Sequence, residues 1–498
     1  MATPIPQNQC SFTLDEIASA TGGTISGEPR TAVRGVTMDT RALETGSLFV
    51  ALRGGDRDGH SFLDEAARRG AGALLVERGR TLPALPAVEV DDTLAALGDL
   101  ARHHLGRMRA ANPLGCVAIG GAVGKTSTKE LTAAAVRALF GETLATPGNL
   151  NNLIGVPMTV FTLTERHRAA VLECGTNRRG EIARLARIVE PDVAVVLNVD
   201  IEHSEGLGSL EEIADEEAAL FATARRTAVA CADERLVMER VPRGVSLVTF
   251  GAAPDADVCV AGRAPGAGAP ARTRVTLALD ARLVAADAPR RVELALALAG
   301  AAAARNAAAA VAAAAALRAR PLSAHELAAM ARALERVAPV AGRLQVRAIG
   351  DLVLIDDTYN ANPRSVRAAL EAARESAASS AGARLIVALG DMLELGELAP
   401  AMHGEAVAEV LRLAPAAFVA VGPAMGAAAS AATPAAGIDH ASRRRTAVHL
   451  VPDSATAAEL IRGLARAGDV ILVKGSRGIR MERIIDALEG RFGSRTQD

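Results

Sequence analysis

The sequence predicts an α/β protein of three domains: a small N-terminal α/β domain over 1–110, a central P-loop-type parallel-sheet domain over 111–338, and a C-terminal Rossmann-like, doubly wound α/β domain over 339–498. Three observations carry this expectation. The chain has 498 residues, which at about 150 residues per domain is roughly three cores. Short apolar runs alternate with helix-forming stretches in the central and last thirds, the rhythm of parallel sheets. A glycine-rich turn, Gly120 to Gly124, stands between an apolar run and a good helix, the arrangement that opens a nucleotide-type α/β domain.

Taken in order, Ser47 to Leu52 and Ala73 to Val76 read as strands around a helical Ser61 to Arg69, and Thr93 to Arg109 reads as a helix. Asn112-Pro113 then disfavours further helix and sets the first boundary. Cys116 to Ile119, Ala169 to Leu172 and Val193 to Leu197 are strands, with helices at Thr126 to Leu139 and Glu181 to Val189. Residues 245–298 read as several antiparallel strands. The Ala-rich run Ala299 to Arg318 is low in complexity, but Ala is the best helix former, so it is expected as one packed helix. Pro339 and Gly342 mark the second boundary. After it come strands at Leu352 to Ile355, Leu385 to Leu389, Ala417 to Val421 and Val470 to Val473.

Composition removes several function classes. With 50% hydrophobic and 22% charged residues the chain can bury cores and stay dispersed, which excludes disorder as its main state. Lys plus Arg (55) nearly balances Asp plus Glu (57), so no positive field exists to hold nucleic acid. The apolar stretches Leu294 to Ala304 and Ala307 to Leu317 are separated by Arg305-Asn306 and are mostly Ala, so no membrane insertion is expected. No basic cluster followed by an apolar segment opens the chain, and a cytoplasmic monomer is the expectation. Cys10, Cys116, Cys174, Cys231 and Cys259 are scattered without metal-ligand spacing and read as reduced.

Chemistry concentrates at Gly121-Ala122-Val123-Gly124-Lys125-Thr126-Ser127. Backbone N–H groups and a helix N-terminus there would cradle phosphates, with Lys125 reaching the terminal ones and Thr126 a magnesium ion. The position six before Lys125 is Ile119, so the full Walker spacing is absent, and the alternative is a plain strand–helix turn carrying a chance Gly-Lys-Thr. Glu173 ends one strand and His203 follows the next, on the same sheet edge as the loop. Beside a phosphate loop they would together hold a divalent ion; without one they read as an exposed loop His and a strand-end Glu paired with a nearby Arg. Asn149-Leu150-Asn151-Asn152 and Asp356 to Pro363 are polar clusters, although Asn and Asp favour turns without any ligand.

These motifs resemble the Mur ligases. The resemblance rests on Gly-Lys-Thr followed by Ser-Thr-Lys-Glu, on Gly148-Asn149-Leu150-Asn151-Asn152 with Ile154-Gly155-Val156-Pro157, on Asp357-Thr358-Tyr359-Asn360-Ala361-Asn362-Pro363, on Leu389-Gly390-Asp391-Met392-Leu393-Glu394-Leu395-Gly396 and on Val473-Lys474-Gly475-Ser476-Arg477. Asp39-Thr40-Arg41 and Asp58-Gly59-His60 extend it to the N-terminal part. It implies an ATP- and Mg²⁺-dependent amide ligase working through an acyl phosphate, whose partners would be UDP-N-acetylmuramoyl-tripeptide and D-alanyl-D-alanine. The first domain would bind the UDP-sugar, the second ATP, the third the incoming dipeptide. By motif position Lys125 and Thr126 contact phosphate and magnesium, Glu173 and His203 hold the metals, and Arg343 and Asp357 close onto ATP. Thr40 and Arg41 would face the UDP-sugar, Asn149 and Asn151 the muropeptide, Asn360 and Asn362 the dipeptide, and Asn306 the adenine.

The chain also departs from the family pattern. Ala122-Val123 replaces a usual Ser-Asn, and Ala303 replaces the first Asn of an adenine-side pair. Where the family usually has a lysine carbamylated by CO₂ to give a metal-binding carboxylate, the helix Ile213 to Ala219 has Glu217. Two readings of Glu217 stand: a built-in metal ligand, or one more solvated acid beside Glu211, Glu212, Asp215 and Glu216. Two other functions also stand, a nucleotide-binding pseudoenzyme regulating wall synthesis, and a related ligase of the folylpolyglutamate or diaminopimelate-adding type.

Overall fold

The structure is a computed structural model describing residues 3–54, 58–202, 204–265, 272–380, 382–432 and 446–493. Among the described residues three sheets larger than a hairpin organise the chain, and no strand is shared between them. The first has five strands in the order Thr24–Ser26, Ala87–Val90, Ala73–Glu77, Leu48–Val50, Val36–Thr37, parallel except at the first pair. The helix Thr93–Ala111, capped by the Asp92 carboxylate on the N–H groups of Leu94 and Ala95, leads from this sheet to the next. The stretch read as the helix Ser61 to Arg69 begins as a tight 3₁₀ turn, Gly59–Phe62, and is α-helical from Leu63 to Arg68.

The central sheet has nine strands. From one edge they run Thr143–Ala145, Ala169–Glu173, Gly115–Gly120, Val193–Val196, Thr227–Cys231, Ser246–Gly251, Val258–Pro265, Thr273–Leu279 and Arg291–Leu296. Fully buried Val, Ala, Leu and Ile fill the inner strands, as a parallel sheet covered on both faces requires. The expectation of antiparallel strands over 245–298 needs correction: Ser246–Gly251 and the start of Val258–Pro265 pair parallel, and only the last two strands are antiparallel. The sheet's rhythm therefore continues about two strands further than the glycine- and proline-broken sequence suggests.

The Ala-rich run is one helix, Gly300–Arg318, with Ala303, Ala304 and every residue from Ala307 to Leu317 buried. Its methyl side chains let it lie close over Lys125–Phe140 and the sheet. By length and composition it would pass for a membrane span, yet most of its surface is covered by protein. The last sheet orders its strands Gln345–Ile349, Leu352–Asp357, Val470–Lys474, Leu385–Gly390, Ala417–Val421, Ala447–Val451, antiparallel only at the first pair. Helices such as Pro363–Ala378 and Glu482–Phe492 cover its two faces.

Candidate active site

The central strand Gly115–Gly120 has Ala169–Glu173 on one side and Val193–Val196 on the other, with Ile119 opposite Glu173 and Gly120 opposite Val196. The glycine loop, Glu173 and the segment from Leu197 to Glu202 therefore leave the sheet side by side at its carboxyl edge, where open α/β sheets bind ligands. Two glycines are sterically required. Gly121 has φ 119° and a Cβ there would sit 2.9 Å from the Leu197 nitrogen; Gly124 has φ 93° and a Cβ would sit 2.8 Å from Asn306 Oδ1. The helix Lys125–Phe140 then begins with no side-chain cap, which leaves its first-turn N–H groups for an anion.

The phosphate cradle is narrower than the sequence suggests. Gly121 N–H donates to Glu217 Oε2 at 2.6 Å, Ala122 N–H to the Asn198 carbonyl at 3.0 Å, and Val123 N–H to Asn198 Oδ1 at 2.8 Å. What remains is the helix end and Lys125. The Lys125 ammonium donates to the carbonyls of Gly121 (2.5 Å) and Ala122 (3.2 Å) and to Glu202 Oε1 (3.3 Å). Burial opposes its charge, but Glu202, Glu217 and Glu173 outweigh burial and hold its pKa above the usual value.

Thr126 donates its hydroxyl to Glu173 Oε1 at 3.1 Å, and Asn151 donates Nδ2 to the same oxygen at 2.8 Å. Asn151 thus steadies Glu173 from the Asn149–Asn152 loop, while Asn149 is exposed and bonds Thr3. Glu217 is fully buried, which overturns its reading as a solvated acid; Glu216 is buried too, accepting from the N–H groups of Gly180 and Ile182. Burial pushes the Glu217 carboxyl up to about 7, with Lys125 pulling the other way and Glu202 adding to the rise.

At this site two buried carboxylate oxygens, Glu173 Oε2 and Glu217 Oε1, have no hydrogen-bond partner among the described residues. Such orphaned acceptors call for a cation or water. Among the described residues no three His, Cys, Asp or Glu side chains converge into a metal cage. Magnesium needs none, since it keeps waters and takes one or two carboxylates plus substrate phosphates. Glu173 and Glu217 therefore fit it. His203 lies outside the described residues.

The opposite wall comes from the last domain. The Arg343 guanidinium stacks 3.9 Å from the ring centroid of Tyr359. Asp357, opposite Lys474 in the register of their paired strands, accepts from Lys474 Nζ at 2.6 Å and from the Leu344 N–H at 2.9 Å. Lys474 also holds the Asn360 carbonyl at 2.8 Å. Asn360 is exposed to the cavity, whereas both ends of the Asn362 carboxamide are engaged: Oδ1 caps Ser365 N–H and Nδ2 donates to Glu202 Oε2 at 3.1 Å. Between the walls lies a cavity of about 510 Å³ whose lining includes Lys125, Ser127, Glu173, Asn306, Arg343 and Asp357. A second cavity, about 320 Å³, lies in the N-terminal domain between Pro4–Asn8 and the Asp39–Arg41 turn. Arg41 lines it, ion-paired to Asp39 at 2.7 Å; Thr40 does not.

Three residues at the main site were not singled out by sequence. Lys474 sits in a motif that marks the family without naming its job. Asn198 and Glu202 gave no signal, because their roles depend on partners remote in the chain.

The chain matches three family descriptions: "Mur ligase family, catalytic domain" over 32–105, "Mur ligase middle domain" over 119–314 and "Mur ligase, glutamate ligase domain" over 342–477. It is 34% identical to the UDP-N-acetylmuramoyl-tripeptide–D-alanyl-D-alanine ligase of Escherichia coli, covering 96% of this chain and 98% of that one. The chain belongs to the Mur ligase family. The Bacillus subtilis Mur ligase of the same name is 31% identical over 96% of this chain and 98% of its own length. Among solved Mur ligases, MurF from Acinetobacter baumannii superposes with a TM-score of 0.84 at 28% identity, covering 97% of this chain and 100% of that one. MurF from Thermotoga maritima in complex with ADP gives 0.76 at 25%, covering 93% and 98%. As a Mur ligase the protein is an ATP-dependent, ADP-forming amide ligase.

Proposed function

We propose that this chain joins D-alanyl-D-alanine to UDP-N-acetylmuramoyl-tripeptide, making the peptide bond that completes a peptidoglycan precursor. The carrying observation is the cavity of about 510 Å³ in which the Lys125 loop and Glu173 face Arg343, Asp357 and Asn360. That arrangement suits a phosphoryl transfer on one wall and an amine acceptor on the other. The uridine nucleotide is assigned to the N-terminal cavity beside Asp39 and Arg41.

The terminal carboxylate of the tripeptide attacks the γ-phosphorus of ATP, forming an acyl phosphate and ADP; the dipeptide amine then adds to the acyl carbon and phosphate leaves. Lys125 and the uncapped helix end offset charge growing on the transferred group. Thr126, Glu173 and Glu217 would hold magnesium, which supplies Lewis-acid charge neutralisation when bound. Arg343 and Asp357 would close on the nucleotide, and the ring of Tyr359 keeps the guanidinium oriented. Closure brings carboxylate and amine together and keeps water from the acyl phosphate. The reaction belongs in the cytoplasm, with the chain acting as a monomer.

Phosphate release with ATP, UDP-N-acetylmuramoyl-tripeptide and D-alanyl-D-alanine, each omitted in turn, tests this. Release should require all three. Equal release without dipeptide or UDP-peptide overturns the reading, and nucleotide binding without any turnover marks a pseudoenzyme instead.

A further inference from the structure

Glu202 is 7% exposed and divides its carboxylate between two domains. Oε1 accepts from Lys125 of the glycine loop at 3.3 Å and Oε2 from Asn362 Nδ2 at 3.1 Å, 160 residues away. It ends a segment built as a connector. On one side, Asn198 binds both the N–H and the carbonyl of Val123 and its own carbonyl takes Ala122 N–H. On the other side the helix Pro363–Ala378 sits on the same segment, with Arg364 on the Val199 carbonyl at 3.4 Å and Arg367 on Asp200 at 3.5 Å. Asn362 is the N-cap of that helix.

The Lys125 ammonium has three donors, and all three are spent within the protein. To reach a phosphate it must release at least one partner. Glu202 is the anion among the three, so a phosphate competes with it directly. We propose that Glu202 is a positioning residue that couples occupancy of the glycine loop to the seating of the C-terminal domain. It holds Lys125 until a nucleotide displaces it, and through Asn362 it keeps the first turn of Pro363–Ala378 against the nucleotide site.

This rests on the ligase reading above, and the two fail separately. ATP affinity is measured by calorimetry without the UDP-peptide, so no turnover is needed; the KM for D-alanyl-D-alanine is measured in the full reaction. E202Q removes the competing charge and weakens the bridge: ATP should bind about fivefold tighter, the scale of one exchanged ion pair, while the dipeptide KM rises and kcat falls. E202D keeps the charge but is too short to span both partners, so ATP affinity stays near wild type while the dipeptide KM rises. N362A should share the dipeptide defect and leave ATP affinity alone, which keeps the idea testable should E202Q fold poorly. If E202Q leaves both constants within about twofold of wild type, or binds ATP more weakly, the coupling is wrong. If wild type releases no dipeptide-dependent phosphate, the ligase reading fails instead.

Discussion

Glu217 is held between two opposing influences, burial that favours its neutral form and Lys125 that favours the carboxylate. Its pKa near 7 stands above the ordinary 4.5, so the sign of its effect follows. Below about 4.5 it is protonated in both folded and unfolded chains. Between about 4.5 and about 7 the unfolded chain ionises first, and stability falls as pH rises through that window. In metal- and nucleotide-free protein, the melting temperature of wild type relative to Glu217→Gln should therefore decline across it. A flat difference would mean the carboxylate is solvated after all. Under assay conditions Glu217→Gln should raise the magnesium requirement, because the amide loses the charge a hard cation prefers. Wild-type activity should be equal in bicarbonate-depleted and bicarbonate-rich buffer. Lys125→Ala should lower turnover by on the order of 10²–10³-fold, read by steady-state phosphate release, and should also lower the melting temperature, because it leaves the buried Glu202 carboxylate without its cation.

The strands that carry Glu173 and Asn198 are legible because each is a short continuous run of Val, Ala and Leu, the pattern of a strand buried on both faces. The glycine loop is legible because only glycine tolerates the backbone at Gly121 and Gly124. The strand Ser246–Gly251 misleads: its partly exposed alternation resembles an antiparallel strand, while its pairing is set by the parallel neighbour Thr227–Cys231. Glu217 was legible by helix position and not by environment, since burial is decided by what packs over Leu210–Ala218 rather than by its acidic sequence. Glu202 and Asn362 are unreadable as a pair, as nothing local announces a bond across 160 residues. At this scale Gly124→Ala is the informative change. A Cβ at φ 93° would meet Asn306 Oδ1 at 2.8 Å, so the variant should lose about 1–2 kcal/mol of stability and bind ATP more weakly, read by thermal melting and calorimetry.

The helix Pro363–Ala378 presents Arg364, Arg367, Glu371 and Glu375 to the central domain at helical spacing. Arg364 pairs with Glu234, Arg367 with Asp200 at 3.5 Å, and Arg263 reaches Glu375 at 2.7 Å and Glu371 at 3.4 Å. Ser204 adds a hydroxyl bond to the Leu395 carbonyl at 3.1 Å. Charged contacts of this kind are weakened by salt where they are exposed. The seam is therefore largely polar, with Ile201 of the central domain packed beside these charges against the core of the last sheet, and separable as a closing pair of domains needs to be. Arg364→Ala leaves Glu234 without its partner; the dipeptide KM should rise several-fold, and activity should depend less steeply on potassium chloride than in wild type. Small-angle scattering should report a larger radius of gyration for the variant. An unchanged radius and salt profile would mean the seam is held by packing alone.

The chain has no tryptophan and a single tyrosine, and that tyrosine, Tyr359, lines the main cavity under the Arg343 guanidinium. The protein therefore absorbs weakly in the near ultraviolet, and under excitation at the red edge of tyrosine absorption, where its phenylalanines do not absorb, its intrinsic emission comes from one ring at the site itself. Any ligand that draws Arg343 away, or stacks in its place, alters that emission directly. Binding can be followed optically in the unlabelled, unmutated chain, and a Tyr359→Phe variant supplies the blank.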